Sequence, residues 1–312
     1  MTEIVTITPN PAVDLSTSVD RISPTLKLRG TSQQRNPGGG GVNVARVIKR
    51  LGGEVRAIYP VGGAMGTLLC QLANGEGLIS QTFPIAEETR EDFFVSEVST
   101  GHHYRFILPG PHLNEGEWRE YLKLISSIEP FPRFVVASGS LPPGVPDDFY
   151  ARIARLAKQR SARMILDASG KPLAAAVDEG VDLIKPNLSE MRELRGLDLS
   201  GAREWEEAAK AIVRAKRASI VALTMGHLGA VLVTPDRVLR AKPLAVTPRS
   251  AVGAGDSFLA ALVWQLAMGA DLMACFRQAV AAGAAALLNP GTELCRPDDI
   301  MRLAAEAIIE EA

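Results

Sequence analysis

Ala251-Val252-Gly253-Ala254-Gly255-Asp256-Ser257-Phe258 is the stretch on which the reading of the fold turns. Two glycines and an alanine leave backbone N–H groups uncovered. An Asp follows, and then Leu259, Leu262, Val263 and Leu266 recur at three- and four-residue spacing. That period marks a helix with one face packed inward, so the glycines sit at its N-terminus. Unpaired N–H donors and the positive end of the helix dipole attract anions there. A carboxylate in the same place suits a site where negative charge develops briefly while the carboxylate takes a proton, as in phosphoryl transfer to an alcohol. A plain helix cap after a tight turn accounts for this stretch equally well.

Upstream, the pattern from residue 114 onward is regular. Helices are expected at 115–128, 147–158, 171–177 and 202–215, and strands at 134–137, 163–167, 183–185 and 220–224. Such alternation implies right-handed crossovers and a mostly parallel sheet with its ligand crevice at the carboxyl ends of the strands. A β-hairpin at 229–234 and 238–241 precedes three closing helices at 256–268, 272–288 and 298–309. Nearer the start, a strand at 4–8, a helix at 42–51, a strand at 55–61 and a helix at 66–74 belong to the same core. The segments around 13–36, 93–98 and 104–108 read as small strands outside it. The expectation is an α/β protein with three αβα layers, the main domain comprising 1–12, 37–88 and 111–312. A small discontinuous β-sheet lid would comprise 13–36 and 89–110.

A chain of 312 residues can bury a large core, and a net charge of -1 points to no nucleic-acid or membrane partner. Aromatics make up only 5% of the chain, too few for base-stacking platforms. No apolar run approaches the roughly 20 residues of a membrane span. Met1-Thr2-Glu3 leads directly into a strand with no basic and apolar leader pattern, so a cytoplasmic location is expected. Cys70, Cys275 and Cys295 are odd in number and widely spaced, as befits reduced thiols.

Four groups of residues carry candidate chemistry. Asp14 follows the first strand, and Pro37-Gly38-Gly39-Gly40-Gly41 precedes the helix bearing Asn43 and Arg46. Four glycines in a row imply close backbone approach, either by polyhydroxyl and phosphate groups or at a hinge. Asn187 and Glu190, after Lys185-Pro186, form either a capping pair or a water-mediated Mg²⁺ site. Thr224-Met225-Gly226-His227-Leu228-Gly229 leaves a strand as a turn or as a passage for phosphate tails. Arg90 and Arg105 are either solvating or phosphate-binding. Gly-x-Gly-x-x-Gly after a strand and the P-loop pattern are both absent, which argues against a dinucleotide oxidoreductase.

Taken together, these motifs resemble the ribokinase-like (PfkB) carbohydrate kinases over nearly the whole chain. The early signature is Pro37 to Arg46, the late one Ala251 to Phe258, and Asn187-x-x-Glu190 lies between them. Within the family the likeness is nearest to the minor, Pfk-2-type subgroup. Relatives that act on fructose 1-phosphate or tagatose 6-phosphate usually carry Lys where this chain has Gly40. Thr89-Arg90, Tyr104-Arg105-Phe106 and Ser138-Gly139-Ser140-Leu141-Pro142-Pro143-Gly144 also fit the subgroup. Glu293, in a place where a basic residue is familiar, and Met225-Gly226-His227 depart from it.

The resemblance implies Mg-ATP as phosphoryl donor, fructose 6-phosphate as acceptor, K⁺ activation in many relatives, and homodimers joined through the lids. It implies Asp256 as general base and Gly253, Ala254 and Gly255 as donors to the transferring phosphoryl. It assigns the sugar phosphate to Asp14, Lys27, Gly38, Gly39, Gly40, Asn43, Arg90, Arg105 and Ser140. ATP falls to Lys185, Asn187, Thr224, Gly226, Gly229, Val280 and Ala284, and Mg²⁺ to Asn187 and Glu190. Ser250, Val252, Ala286, Asn289 and Gly291 would hold K⁺. The nearest alternatives are a tagatose-6-phosphate kinase or a 1-phosphofructokinase. A silent sugar or nucleotide sensor is more remote, since it would be expected to lack Asp256.

Overall fold

The computed structural model describes residues 3–311. Met1 and Thr2, counted above in the main domain, and Ala312 lie outside the described residues. The chain builds β1 (Ile4–Ile7), β2 (Ala12–Val19), β3 (Gln34–Gly38), α1 (Gly40–Arg50), β4 (Val55–Val61), α2 (Gly63–Gly75) and β5 (Ile79–Pro84). Next come β6 (Arg90–Glu97), β7 (His103–Phe106), α3 (Glu115–Ser126), β8 (Phe134–Ser138), α4 (Phe149–Gln159), β9 (Arg163–Asp167) and α5 (Gly170–Glu179). They are followed by β10 (Val181–Ile184), α6 (Leu188–Arg195), α7 (Ala202–Arg214), β11 (Ala218–Thr224), β12 (Ala230–Val233) and β13 (Val238–Ala241). The chain closes with α8 (Ala254–Ala267), α9 (Leu272–Leu287), α10 (Pro297–Glu306) and β14 (Ile309–Glu311).

Ten strands form the main sheet in the order β14-β13-β12-β11-β10-β9-β8-β1-β4-β5. The run from β11 to β5 is parallel, while β12, β13 and β14 add an antiparallel edge. Its central strands are buried on both faces. Ile4, Ala57, Val136 and Ile165 point into one core, and Val5, Ile58, Val135 and Leu166 into the other. The first core is closed by α1, α8, α9 and α10 and the second by α3, α4, α5 and α7. This is the expected three-layer αβα arrangement, with the crossover helices packed on both faces of the sheet.

Three local expectations need correction. Strand β5 has no counterpart in the sequence reading. It is an edge strand in which only Phe83 is buried, so its apolar signal is weak. The last helix ends at Glu306, and Ile309 pairs instead with Ala241 as part of β14. Helix α8 does not bury one face alone. Every residue from Ser257 to Val263 is buried, because α1 and α9 enclose the helix.

A second sheet of four strands, β3-β2-β6-β7, stands apart from the main one. Its strand β2 begins a few residues beyond β1, and β6 begins a few residues beyond β5. Both therefore rise from the carboxyl edge of the main sheet. Strand β1 is also where the strand order reverses: its neighbours are β4 on one side and β8 on the other. A crevice opens at such a point because the connections diverge.

Candidate active site

A cleft of about 310 Å³ lies between the two sheets. Asp14 of β2, Arg90, Asp92 and Phe94 of β6, and Arg105 of β7 line it from above. Gly39, Gly40 and Asn43 border it at the start of α1. Ser138, Gly139, Ser140 and Asp167 reach it from the ends of β8 and β9, and Glu190, Val252, Gly253 and Asp256 complete it.

Asp256 is in the first turn of α8, and Gly253 caps that helix at φ 74°. Such a backbone favours glycine. A side chain at 253 would also collide with Leu294, whose Cδ2 lies 2.2 Å from the place of a Cβ. Asn43 donates from Nδ2 to Asp256 Oδ2 at 2.9 Å. Burial pushes Asp256 up to about 6, and the negative charge of Asp167 adds to this. The Asn43 hydrogen bond and the positive charges of Lys185 and Arg105 act the other way. A carboxylate poised near neutrality, at the N-terminus of a helix and facing a cleft, has the properties of a general base.

Asp14 is 3% exposed. Burial first, and the charge of Asp92 second, raise it to about 7. Arg90 donates to Asp92, to the Leu108 carbonyl and to the Asn10 carbonyl, while its buried Nε has no partner. Arg105 lies over the Phe94 ring, 5.4 Å from its centroid, and is exposed to the cleft. Two guanidiniums with donors to spare suit a phosphate. Ser140 accepts from Asn10 Nδ2 at 3.1 Å.

The glycine run makes its close approaches to the protein itself. A Cβ on Gly38 would sit 2.3 Å from Asp14 Oδ1, and one on Gly40 would sit 2.2 Å from Ser138 Oγ. Arg46, read from sequence as a possible ligand-holding group, does not line the cleft. It is fully buried and ion-paired with Glu76. Lys27 lies on an exposed connection between β2 and β3, outside the cleft walls of this chain.

Lys185 pairs with Asp167 at 3.1 Å, and the place of a Gly255 Cβ is 3.2 Å from Lys185 Nζ. The glycine therefore admits the lysine to the start of α8. Asn187 and Glu190 cap α6 reciprocally: Asn187 Oδ1 accepts from the Glu190 N–H, and Glu190 Oε2 accepts from the Asn187 N–H. Glu190 nonetheless reaches the cleft wall. Thr224 is bridged to Asn187, its N–H donating to the Pro186 carbonyl at 3.0 Å. Gly226 opens a single 3-10 turn. Gly229 is explained by packing, because a Cβ there would meet the Ala241 carbonyl at 2.1 Å. Val280 and Ala284 lie on α9, Val280 within the core and Ala284 packed against it.

The two loops read as cation donors do meet. Ser250 Oγ donates to the Gly291 carbonyl at 2.8 Å, and the Val252 N–H donates to Ser250 Oγ. The Ala286 carbonyl accepts from the Asn289 N–H. Glu293 turns its carboxylate to Arg296, away from this cluster, and its carbonyl accepts from Arg50. Among the described residues no group of three or more His, Cys, Asp or Glu could hold a metal ion. Backbone and hydroxyl oxygens suit a monovalent ion.

Asp92 and Asp167 were missed in the sequence. Asp167 ends a parallel strand, where ligand residues collect, and that position was a readable signal. Asp92 lies two residues beyond Arg90 on a strand, so both point to the same face.

The model of the pfkB family of carbohydrate kinases matches residues 2–299. The chain belongs to this family. As a PfkB kinase it is 43% identical over 306 residues to the ATP-dependent 6-phosphofructokinase isozyme 2 of Mycobacterium tuberculosis, covering 97% of this chain and 90% of that one. The structure of phosphofructokinase-2 from Escherichia coli in complex with potassium matches with a TM-score of 0.93, at 39% identity over 98% of this chain and 99% of the other. The same enzyme in complex with fructose-6-phosphate matches with a TM-score of 0.92, at 37% identity and the same coverage.

Proposed function

We infer that this chain is an ATP-dependent 6-phosphofructokinase, transferring the γ-phosphoryl group of ATP to the 1-hydroxyl of fructose 6-phosphate. The observation that carries the reading is Asp256, half-buried at the glycine-flanked N-terminus of α8 and facing a cleft that also holds Arg90 and Arg105. Asp256 accepts the hydroxyl proton as the oxygen attacks phosphorus. The N–H groups of Gly253, Ala254 and Gly255 stabilise the transferring phosphoryl. Asp14, Gly39 and Asn43 orient the sugar hydroxyls, with Gly38, Gly40 and Ser140 shaping their side of the cleft. Arg90 and Arg105 hold the 6-phosphate. Lys27 would join them only if the exposed connection that carries it folds over the cleft or reaches the cleft of a second subunit.

ATP lies along Lys185, Asn187, Thr224, Gly226 and Gly229, with Val280 and Ala284 on the adjacent face of α9. Glu190 keeps one oxygen outside the capping pair, so it and Asn187, through water, fit Mg²⁺, which offsets phosphate charge when bound. The Ser250, Val252, Ala286, Asn289 and Gly291 oxygens fit K⁺. The second sheet acts as a lid that keeps water from the γ-phosphate, with boundaries at 13–36 and 89–110. Leu26, Leu28, Val98 and Phe106 are exposed on its side and support a homodimer formed through the lids. Among the described residues no helix is long and apolar enough to cross a membrane. The unpaired Cys70, Cys275 and Cys295 support a cytoplasmic location.

Gly40 supports fructose 6-phosphate as the acceptor, since relatives that take fructose 1-phosphate or tagatose 6-phosphate usually carry Lys at this place, and here a Cβ would meet Ser138 Oγ. A coupled assay of ADP release over fructose 6-phosphate, fructose 1-phosphate and tagatose 6-phosphate tests the assignment, and the highest kcat/KM is expected on the first. Sugar binding without ADP release from any of the three would replace the kinase by a sensor.

A further inference from the structure

Arg46 is the bulkiest fully buried side chain of the protein, yet it lies behind the cleft. Its Nε donates to both carboxylate oxygens of Glu76, the residue that caps the C-terminus of α2, at 2.9 and 3.0 Å. Its Nη1 donates to the Pro37 carbonyl at 2.9 Å, to Asn43 Oδ1 at 3.1 Å and to the Thr292 carbonyl at 3.4 Å. A guanidinium has donors and no acceptor, so only the oxygen end of the Asn43 amide can face it. The nitrogen end is thereby turned to Asp256, 2.9 Å from Oδ2. These are the only two side-chain partners of Asn43 among the described residues.

We propose that Arg46 is a positioning residue for phosphoryl transfer: it locks the Asn43 amide in the one orientation that donates to Asp256, which keeps that carboxylate ionised and ready to accept. The inference rests on the kinase reading above. Without the lock the amide can turn over and present its oxygen to the carboxylate. Two acceptors then face each other, and protonated Asp256 is favoured. Other charged groups also face Asp256: Asp167 at the end of β9, Lys185 after β10 and Arg105 on β7, with Asp14 on β2 coupled to it. None of them hydrogen-bonds the Asn43 side chain, so none can set its orientation. Glu76 is itself held low by Arg46 and Arg50 against the cost of its burial, so it remains an anion that anchors the guanidinium. The relay thus runs from a half-buried carboxylate at the C-terminal cap of α2, through Arg46 and Asn43, to the proposed base on α8.

The test is the pH dependence of kcat, which reads the substrate-loaded enzyme. It is measured from pH 5 to 8.5 at saturating Mg-ATP and fructose 6-phosphate, in the wild type, Arg46→Gln, Arg46→Lys, Asn43→Ala and Asn43→Ala/Arg46→Gln. In Arg46→Gln the acid limb should move up by roughly one pH unit, lowering kcat about tenfold on the acid side. At alkaline pH the loss should shrink to within about threefold, and the KM for fructose 6-phosphate should stay within about threefold. Arg46→Lys keeps the charge but cannot reach Glu76, Pro37 and Asn43 together, so a smaller shift in the same direction is expected. Asn43→Ala should carry the shift already, and adding Arg46→Gln should not extend it. A limb at its wild-type position in Arg46→Gln overturns the proposal. So does an equal further shift in the Asn43→Ala background, which would mean that Arg46 acts without the amide. If Arg46→Gln does not fold, an unmoved limb in Arg46→Lys overturns it instead. Wild-type protein that releases no ADP would remove the kinase reading itself, whereas an active wild type with unmoved variants removes the relay alone.

Discussion

Asn43 and Asp256, 213 residues apart in the chain, are joined by one hydrogen bond of 2.9 Å from amide nitrogen to carboxylate. It ties the helix after the glycine run to the helix after the late glycines, and so fixes the proposed base relative to the proposed sugar site. Asp256→Asn should lower kcat by about 10²–10⁴-fold, the usual worth of a general base, with sugar binding nearly unchanged. Turnover in a coupled ADP assay, with fructose 6-phosphate affinity measured by calorimetry, checks both halves.

Asp14, Asp92, Glu190 and Asp256 line the cleft with raised carboxyl groups, and the two proposed to act on the sugar hydroxyls are Asp14 at about 7 and Asp256 at about 6. In their proposed roles both must lose their protons before the free enzyme can orient a hydroxyl and accept its proton. The rate constant kcat/KM should therefore fall as pH drops through the window between about 7 and 6, with apparent values that belong to the coupled pair. A profile of kcat/KM from pH 5 to 8.5 checks this. An acid limb near 4, where an ordinary Asp titrates, would reject both groups as the controlling ones.

The same burial gives Asp14 a cost in stability. The native protein holds this proton up to about pH 7, whereas the unfolded chain releases it near 3.8. The native state thus binds more protons across that interval, and stability falls as pH rises through it. Asp14→Asn should raise the denaturation free energy at pH 8 by about 2–4 kcal/mol, with the gain shrinking toward pH 4. Urea unfolding at the two pH values measures it, and sugar affinity should be lost in the same variant.

Arg90 is held by Asp92, Leu108 and Asn10, and it keeps a buried Nε without a partner. Arg90→Ala should raise the KM for fructose 6-phosphate by roughly 10–100-fold, the worth of hydrogen bonds to a charged group, and change kcat little. An unchanged KM would show that Arg105 and other residues carry the phosphate.

At Gly40 the limit is space. A Cβ would lie 2.2 Å from Ser138 Oγ and 3.1 Å from the Gly139 nitrogen. Gly40→Lys should destabilise the protein by about 1–3 kcal/mol through overpacking and reduce kcat/KM for fructose 6-phosphate at least tenfold. Thermal unfolding and the three-sugar assay test it together.

The α/β order was legible because buried parallel strands and amphipathic helices write distinct periods. The strands at 55–61 and 163–167 are found at the expected residues. Strand β5 was not, since an edge strand with a single buried residue lacks the apolar run that marks its neighbours. Asp256, Asn43 and the glycine run were legible as candidates from residue type and placement. Their roles were open, because Asn187 with Glu190, or a glycine before an Asp, writes the same letters for a cap as for a site. The structure shows that Asn187 and Glu190 are a cap in fact, one that still leaves Glu190 at the cleft.

By itself, then, the chain's sequence determined the layered fold, the two glycine-bearing helix starts and the carboxylate that follows the second of them. These depend on local period and backbone freedom, which are properties of neighbouring residues. Only the tertiary structure decided that Arg46 is a buried anchor, that Asp92 and Asp167 belong to the cleft, and that Gly229 serves packing. Each of those depends on which atoms meet across distant parts of the chain, and the desolvation that lifts Asp14 and Asp256 exists only once the two sheets enclose them.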